Sequence, residues 1–230
     1  MIPLKRALTS PTGRKFVMSI SGIALVLFVI VHLLGNLTLY IPDGGEAFNR
    51  YAATFEGLGP LLYVIELGLL AVIVIHIAWG ITTSIKNRNA RPDNYSEGVK
   101  SKGGPSNLSL ASKNMIVSGV VLGVFLVVHI WHFRVQKIFL DEKVEIDGQE
   151  YTDLYSLVHQ AFVDPFWVAF YMISMVFLGF HFRHGFWSAM QSLGAIKPEW
   201  SKQIYASGFV LAVVLAVGFM GIPLYIFLTA

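Results

Sequence analysis

Five stretches of this chain are each apolar over about the length that a helix needs to cross a bilayer. A helix rises ~1.5 Å per residue, so roughly 20 residues traverse a hydrocarbon layer about 30 Å thick. The stretches that qualify are Phe16–Ile41, Pro60–Ile85, Asn114–Arg134, Pro165–Trp187 and Ile204–Leu228. They predict an all-α membrane protein, a bundle of five transmembrane helices forming one domain over residues 1–230. The charge content agrees. A soluble domain has about a quarter of its residues charged, whereas 13% are charged here and 55% are hydrophobic. Most of the surface must therefore face something other than water. The first stretch is too long for a signal-peptide core and no small-residue cleavage site follows it, so it reads as an uncleaved anchor.

The chain contains no cysteine. That excludes disulfides, covalently attached c-type haem, cysteine-ligated iron–sulfur clusters and a thiol nucleophile. No Gly-rich nucleotide fingerprint or phosphate-binding loop occurs. The pI near 9.1 does not point to nucleic acid, because the basic residues sit between the apolar stretches and report membrane orientation. The N-terminal segment carries Lys5, Arg6, Arg14 and Lys15. The second connection carries Lys86, Arg88, Arg91, Lys100, Lys102 and Lys113, and the fourth carries Arg183, Lys197 and Lys202. These are 13 of the 17 basic residues. The opposite side holds Arg50, Arg134, Lys137 and Lys143, together with an acidic run from Asp141 to Asp164. The expectation is a cytoplasmic N-terminus and an external C-terminus.

Connections between the spans carry their own signals. Arg88–Ser112, with Gly103-Gly104-Pro105 among serines and asparagines, reads as a basic cytoplasmic loop suited to an acidic partner. Lys143–Thr152 reads as an external hairpin turning at Asp147-Gly148. Glu46–Leu58 and Tyr151–Val163 mix apolar and polar residues at helical spacing, as interfacial helices do. There is no repeat with a period of 20–50 residues.

An ionisable side chain inside a span is costly and asks for a partner. His32, His76, His129 and His181 lie one in each of the first four spans. Counted from the residues where the spans begin (Lys15, Pro60, Lys113 and Asp164), they follow after 17, 16, 16 and 17 residues. Each is thus about 25 Å from the start of its own span. Successive spans run in opposite directions, so His32 and His129 share one depth, towards the outside, and His76 and His181 share another, towards the inside. Two pairs at two depths, each drawn from two helices, are what bis-histidine ligation of two b-type haems requires. Gly35, Gly80 and Gly185, three or four residues beyond a histidine, are expected to let a flat ring approach. The competing reading of a membrane histidine is an interhelical hydrogen bond.

His132 and His184 each follow a candidate ligand by three residues and share its helix face. Either member of each pair is a candidate; the deeper one fits the spacing. Arg183 and His184 also suit haem propionates, and equally suit an ordinary basic flank. Glu66, six residues into the second span, is the remaining intramembrane acid. It reads either as a proton-exchanging group at a quinone site or as a hydrogen-bonding partner of a neighbouring helix. His159 reads as an interfacial residue without assigned chemistry.

Four phrases carry a resemblance: Phe28-Val-Ile-Val-His32-Leu-Leu-Gly-Asn36-Leu, Gly59-Pro-Leu-Leu-Tyr-Val-Ile-Glu66 leading to His76, Val128-His129-Ile-Trp-His-Phe133, and Phe180-His181-Phe-Arg-His-Gly-Phe-Trp187. Together they resemble the cytochrome b subunit of succinate dehydrogenase and fumarate reductase, in its five-helix, two-haem form, from about Ser10 to the end of the fifth span. The resemblance implies a multi-pass subunit of the bacterial cytoplasmic membrane that anchors an FAD flavoprotein and an iron–sulfur protein on the cytoplasmic side. It implies electron passage through two haem b groups to a quinone, usually menaquinone, with His32 and His129 on one haem and His76 and His181 on the other. Succinate chemistry would reside in the partner subunits, since no soluble catalytic domain fits in this chain. One departure is Gly179, where a menaquinol-oxidising relative carries a proton-moving glutamate. Two other functions compete: the dihaem subunit of a membrane hydrogenase, formate dehydrogenase or nitrate reductase, and a proton-coupled transporter using the histidines and Glu66. Against the transporter, no span is interrupted by paired Gly and Pro and no inverted repeat occurs.

Overall fold

A computed structural model describes Pro3, Arg6, residues 9–89 and residues 115–230. Most of the basic connection Arg88–Ser112, as well as Lys5, lies outside the described residues. The elements in order are α1 (Pro11–Asn36), α2 (Glu46–Glu56), α3 (Pro60–Asn89), α4 (Met115–Ile130), β1 (Lys143–Ile146), β2 (Gln149–Thr152), α5 (Leu154–Phe162), α6 (Pro165–Ser192) and α7 (Ser201–Thr229). A 3-10 turn, Leu37–Tyr40, extends α1, and a π-helical turn, Trp131–Val135, followed by a 3-10 turn, Gln136–Phe139, extends α4. Five helices among the described residues are long and apolar enough to span a bilayer. The protein is an all-α membrane bundle.

Span boundaries run further than the apolar runs predict: Pro11–Tyr40, Pro60–Lys86, Met115–Phe139, Pro165–Ser192 and Pro198–Thr229. The apolar run marks the hydrocarbon crossing, whereas helix ends are decided by capping. Ser10 accepts a hydrogen bond from the Gly13 amide at 3.0 Å and Pro11 occupies the first turn, so α1 starts five residues before Phe16. Asp164 and Pro165 start α6 in the same way, with the Phe166 amide 2.8 Å from Asp164 Oδ1.

Small residues bring the long helices together, as membrane helices without a hydrophobic driving force require. α6 packs most extensively on α7, α1 packs on α3 and α6, and α4 packs on α6. A Cβ at Gly179 would stand 3.2 Å from Ala216 Cβ. Gly179 therefore marks the close crossing of α6 and α7. α3 is the exception. None of its described residues is buried, and it meets α4 in few places.

At the end of the bundle where α1 finishes, α2, the hairpin and α5 form a cap. The predicted hairpin is present, with Asp147 and Gly148 both at positive φ (52° and 78°), as its two-residue turn demands. Buried Asn49 ties the cap together: it donates to Asp153 Oδ1 at 2.7 Å and accepts from the Tyr155 amide at 3.0 Å. Burial pushes the Asp153 carboxyl up, but hydrogen bonds from Asn49, Ser156 and the Ser156 and Tyr155 amides more than offset this and hold it below the usual carboxylate value. A lowered carboxyl contributes stability that is complete above its ordinary value, about 4, and is lost as pH falls through the lowered one. Limited proteolysis within the hairpin is expected to accelerate on acidification below that range in the native chain and to be accelerated already at neutral pH in Asp153→Ala.

Candidate functional site

The four spaced histidines line one continuous cavity of about 2460 Å³. Ordinary small-molecule pockets run to roughly 1,000 Å³, so this one has room for more than one bulky group. Its walls come from α1, α3, α4 and α6, with Phe219, Ile222 and Pro223 of α7 and, at the capped end, residues of α2 and α5 such as Tyr51 and Phe162. The standing-off of α3 from α4 opens it.

Within the cavity the histidines meet in two pairs. His32 faces His129 with ring centres 5.8 Å apart and planes at 88°. His76 faces His181 at 6.3 Å and 66°. The layer separation follows twice from the helices themselves. Ser21 of α1 touches His76 and Ser118 of α4 touches His181. Each serine precedes its own helix's histidine (His32 or His129) by 11 residues, which is about 16 Å of helix.

These separations can be tested against a metal between the rings. An imidazole nitrogen binds a first-row metal at about 2 Å, and with the ring centre roughly 1 Å further back, two rings on opposite sides of one ion have centres about 6 Å apart. Both pairs match. Among the described residues no group of three or more histidine or carboxylate side chains is placed to hold a metal ion. Each layer offers two imidazoles only, so an ion held there must bring its remaining ligands with it, and a porphyrin supplies four nitrogens in a plane. Apolar walls fit that group: Phe28 stacks on His32 at 5.4 Å and 15°, Phe125 on His129 at 5.5 Å and 26°. No protein-family model, curated protein or solved structure matches the chain.

Other expected site residues are placed differently from one another. His132 does not share a face with His129. The π-helical turn that begins at Trp131 rotates it away from the cavity, where it packs on Trp167 at 4.2 Å and lies 3.3 Å from the Tyr171 hydroxyl. Arg183 also points away, donating to the Tyr205 hydroxyl and lying over the Phe209 ring at 5.1 Å on α7. His184 does line the cavity, at the end that also carries Lys15, Ser19, Thr83, Ser84 and Gln191. Thr83 Oγ1 is buried there with no partner among the described residues. His159 lies in the cap beside Tyr155.

Glu66 lines the opposite end of the cavity, with Tyr51, Tyr63, Arg134 and Lys137. It is not a lone buried acid. Arg134 Nε and Nη2 donate to its two oxygens at 2.7 and 2.9 Å, and about a third of each side chain is exposed (35% and 38%). Lys137 makes a second tie to Glu56 at 2.8 Å. The Glu66–Arg134 pair bridges the start of the second span to the end of the third, where the helices themselves scarcely touch, and the Lys137–Glu56 pair ties the end of the third span to α2.

The glycines divide as well. Gly80 and Gly185 line the cavity as expected. Gly35 does not serve a ring in the cavity; a Cβ there would collide with Tyr51 of α2. Sequence reasoning missed Gly22 and Gly119, whose Cβ positions lie 3.3 Å from His76 Cε1 and 3.6 Å from His181 Cε1, and missed Ser21 and Ser118 beside them. A signal was present. Ser21–His32 and Ser118–His129 share one pattern, Ser-Gly, then phenylalanine seven residues after the serine and histidine eleven after it.

Proposed function

We propose that this chain is the membrane-anchor cytochrome b subunit of a succinate:quinone oxidoreductase, carrying electrons between an iron–sulfur subunit and a membrane quinone through two b haems. The observation that carries the reading is the pair of imidazole pairs at 5.8 and 6.3 Å in one apolar cavity. His32 and His129 hold one haem, and His76 and His181 the other. When bound, each haem supplies one-electron redox chemistry. The chain's own residues would supply two imidazoles to each haem, aromatic side chains beside them and walls that exclude water, which together would tune its potential.

Direction follows from charge. With 13 of 17 basic residues in the N-terminal segment and in the segments around the second and fourth connections, that side is read as cytoplasmic. It receives the FAD flavoprotein and the iron–sulfur subunit there, in the bacterial cytoplasmic membrane. The His76–His181 pair is then the inner one. At its end of the cavity, Lys15, Ser19 and His184 would receive the propionates, while Arg183 meets Tyr205 and Phe209 of α7. The His32–His129 pair lies towards the outside, and Glu66, Arg134 and Tyr63 beside it form the quinone end, with menaquinone the expected quinone.

Purification of the tagged chain from its native membrane tests this. The expected product is a three-subunit complex with succinate dehydrogenase activity and, by pyridine haemochrome, two b haems per copy of the chain, both low-spin. A haem-free chain, or a single high-spin haem, defeats the reading.

A further inference from the structure

Two serines stand behind the inner histidine pair. Ser21 Oγ lies 3.1 Å from His76 Nδ1, and Ser118 Oγ lies 3.2 Å from His181 Nδ1. Both serines are buried. Each hydroxyl also reaches the carbonyl three residues back, Met18 O at 3.1 Å and Met115 O at 3.0 Å. A carbonyl only accepts, and a hydroxyl has one hydrogen. That hydrogen goes to the carbonyl, which leaves an Oγ lone pair facing the imidazole. Nδ1 must then carry the ring proton, and in a neutral imidazole Nε2 is left bare.

We propose that Ser21 and Ser118 are positioning residues that fix His76 and His181 as Nδ1–H tautomers and aim each bare Nε2 into the space between them. Gly22 adds room beside one ring, since a Cβ there would crowd His76 Cε1 at 3.3 Å, whereas a Cβ at Gly119 would meet His181 Cε1 at an ordinary 3.6 Å. A serine performs the same task on two helices, 97 residues apart. The other histidine pair has no such support. His129 Nδ1 is buried without a hydrogen-bond partner among the described residues. Among the described residues His32 Nδ1 is met by no hydroxyl; it lies 3.5 Å from the Asn36 amide nitrogen, a donor that also gives the His32 carbonyl a hydrogen bond at 2.7 Å. One layer is preorganised by hydroxyls and the other is not.

The consequence for redox chemistry rests on the cytochrome reading above. A ring whose Nδ1–H is hydrogen-bonded is a stronger donor through Nε2, and a stronger donor favours the ferric iron. Loss of the hydroxyls therefore raises the potential of the inner haem alone.

The test uses Ser21→Ala, Ser118→Ala and the double variant in the purified complex. Ser→Thr at both sites retains the hydroxyl, and Ser174→Ala serves as control, because Ser174 is a buried α6 serine whose hydroxyl, among the described residues, bonds the Phe170 carbonyl at 2.7 Å and no histidine. The inner haem is the electron paramagnetic resonance signal lost in His76→Ala. Its midpoint potential is expected to rise and its signal to shift in the alanine variants, most in the double one, while the outer signal stays. The threonine and Ser174 variants match the native complex. An unmoved inner potential, or equal movement of both haems, overturns the proposal. Nitrogen-15 NMR on the full chain prepared without haem gives a readout independent of the cytochrome reading: His76 and His181 are expected as Nδ1–H tautomers in the native chain and as mixtures in the alanine variants. Mixed tautomers in the native chain overturn the serine assignment. A native complex lacking haem defeats the cytochrome reading, and the tautomer measurement still decides the serines.

Discussion

On the proposed cytochrome function, replacing His76 or His181 by alanine is expected to halve the haem content of the complex, from two per chain to one, and to leave the haem of the other layer spectroscopically intact. Replacing His32 or His129 has the reverse effect. An axial nitrogen is a direct bond to the iron, and losing even an outer-shell support of a metal ligand typically costs about 10–100-fold in affinity. The layers are separated by about 16 Å of helix, so damage to one need not reach the other. Pairing decides the outcome: His32 with His129 at 5.8 Å, His76 with His181 at 6.3 Å. Loss of the same haem from His32→Ala and His76→Ala would overturn the assignment. His132→Ala is expected to retain both haems, because its ring is held by Trp167 and Tyr171 outside the cavity. Its cost falls on stability.

Changing Glu66 to Gln is expected to slow quinone-linked turnover by about a hundredfold or more, within the range of a lost acid–base group, with both haems retained. Quinone reduction takes up protons as well as electrons, and Glu66 lines the cavity beside the His32–His129 layer. Its bidentate pair with Arg134 fixes where the carboxylate sits. Gln preserves shape and removes the charge and the titration. Electron flow from succinate to an artificial acceptor at the soluble subunits stays at the native rate. A normal quinone rate in Glu66→Gln would make the residue a structural tie between the second and third spans. As a tie it is modest, since pairs of this exposure contribute about 1 kcal/mol or less.

Much of this protein was readable from its residues because the governing quantities are one-dimensional. Span number follows from apolar length, and the depth of a histidine follows from its distance along a helix of fixed rise. The turn at Asp147-Gly148 follows from local chemistry, since only a few residue pairs tolerate positive φ twice. Those rules need no neighbour. They place four histidines at two depths before any packing is known.

What needed the tertiary structure was direction around each helix axis. His132 is three residues from His129, but the π-helical turn at Trp131 changes the angular step between them and sends it to α6. Arg183 and His184 are adjacent, yet one meets Tyr205 and the other the cavity. Gly35 serves Tyr51, and Gly179 serves the α6–α7 crossing. Glu66 finds Arg134 from 68 residues away, a partner that spacing along one helix does not reveal. Ser21 and Ser118 are ordinary serines until α3 and α6 bring an imidazole to each. Length along an axis is set by covalent geometry and is the same in every helix. Rotation about that axis, and the identity of the neighbour it meets, is set by how small residues let whole helices approach.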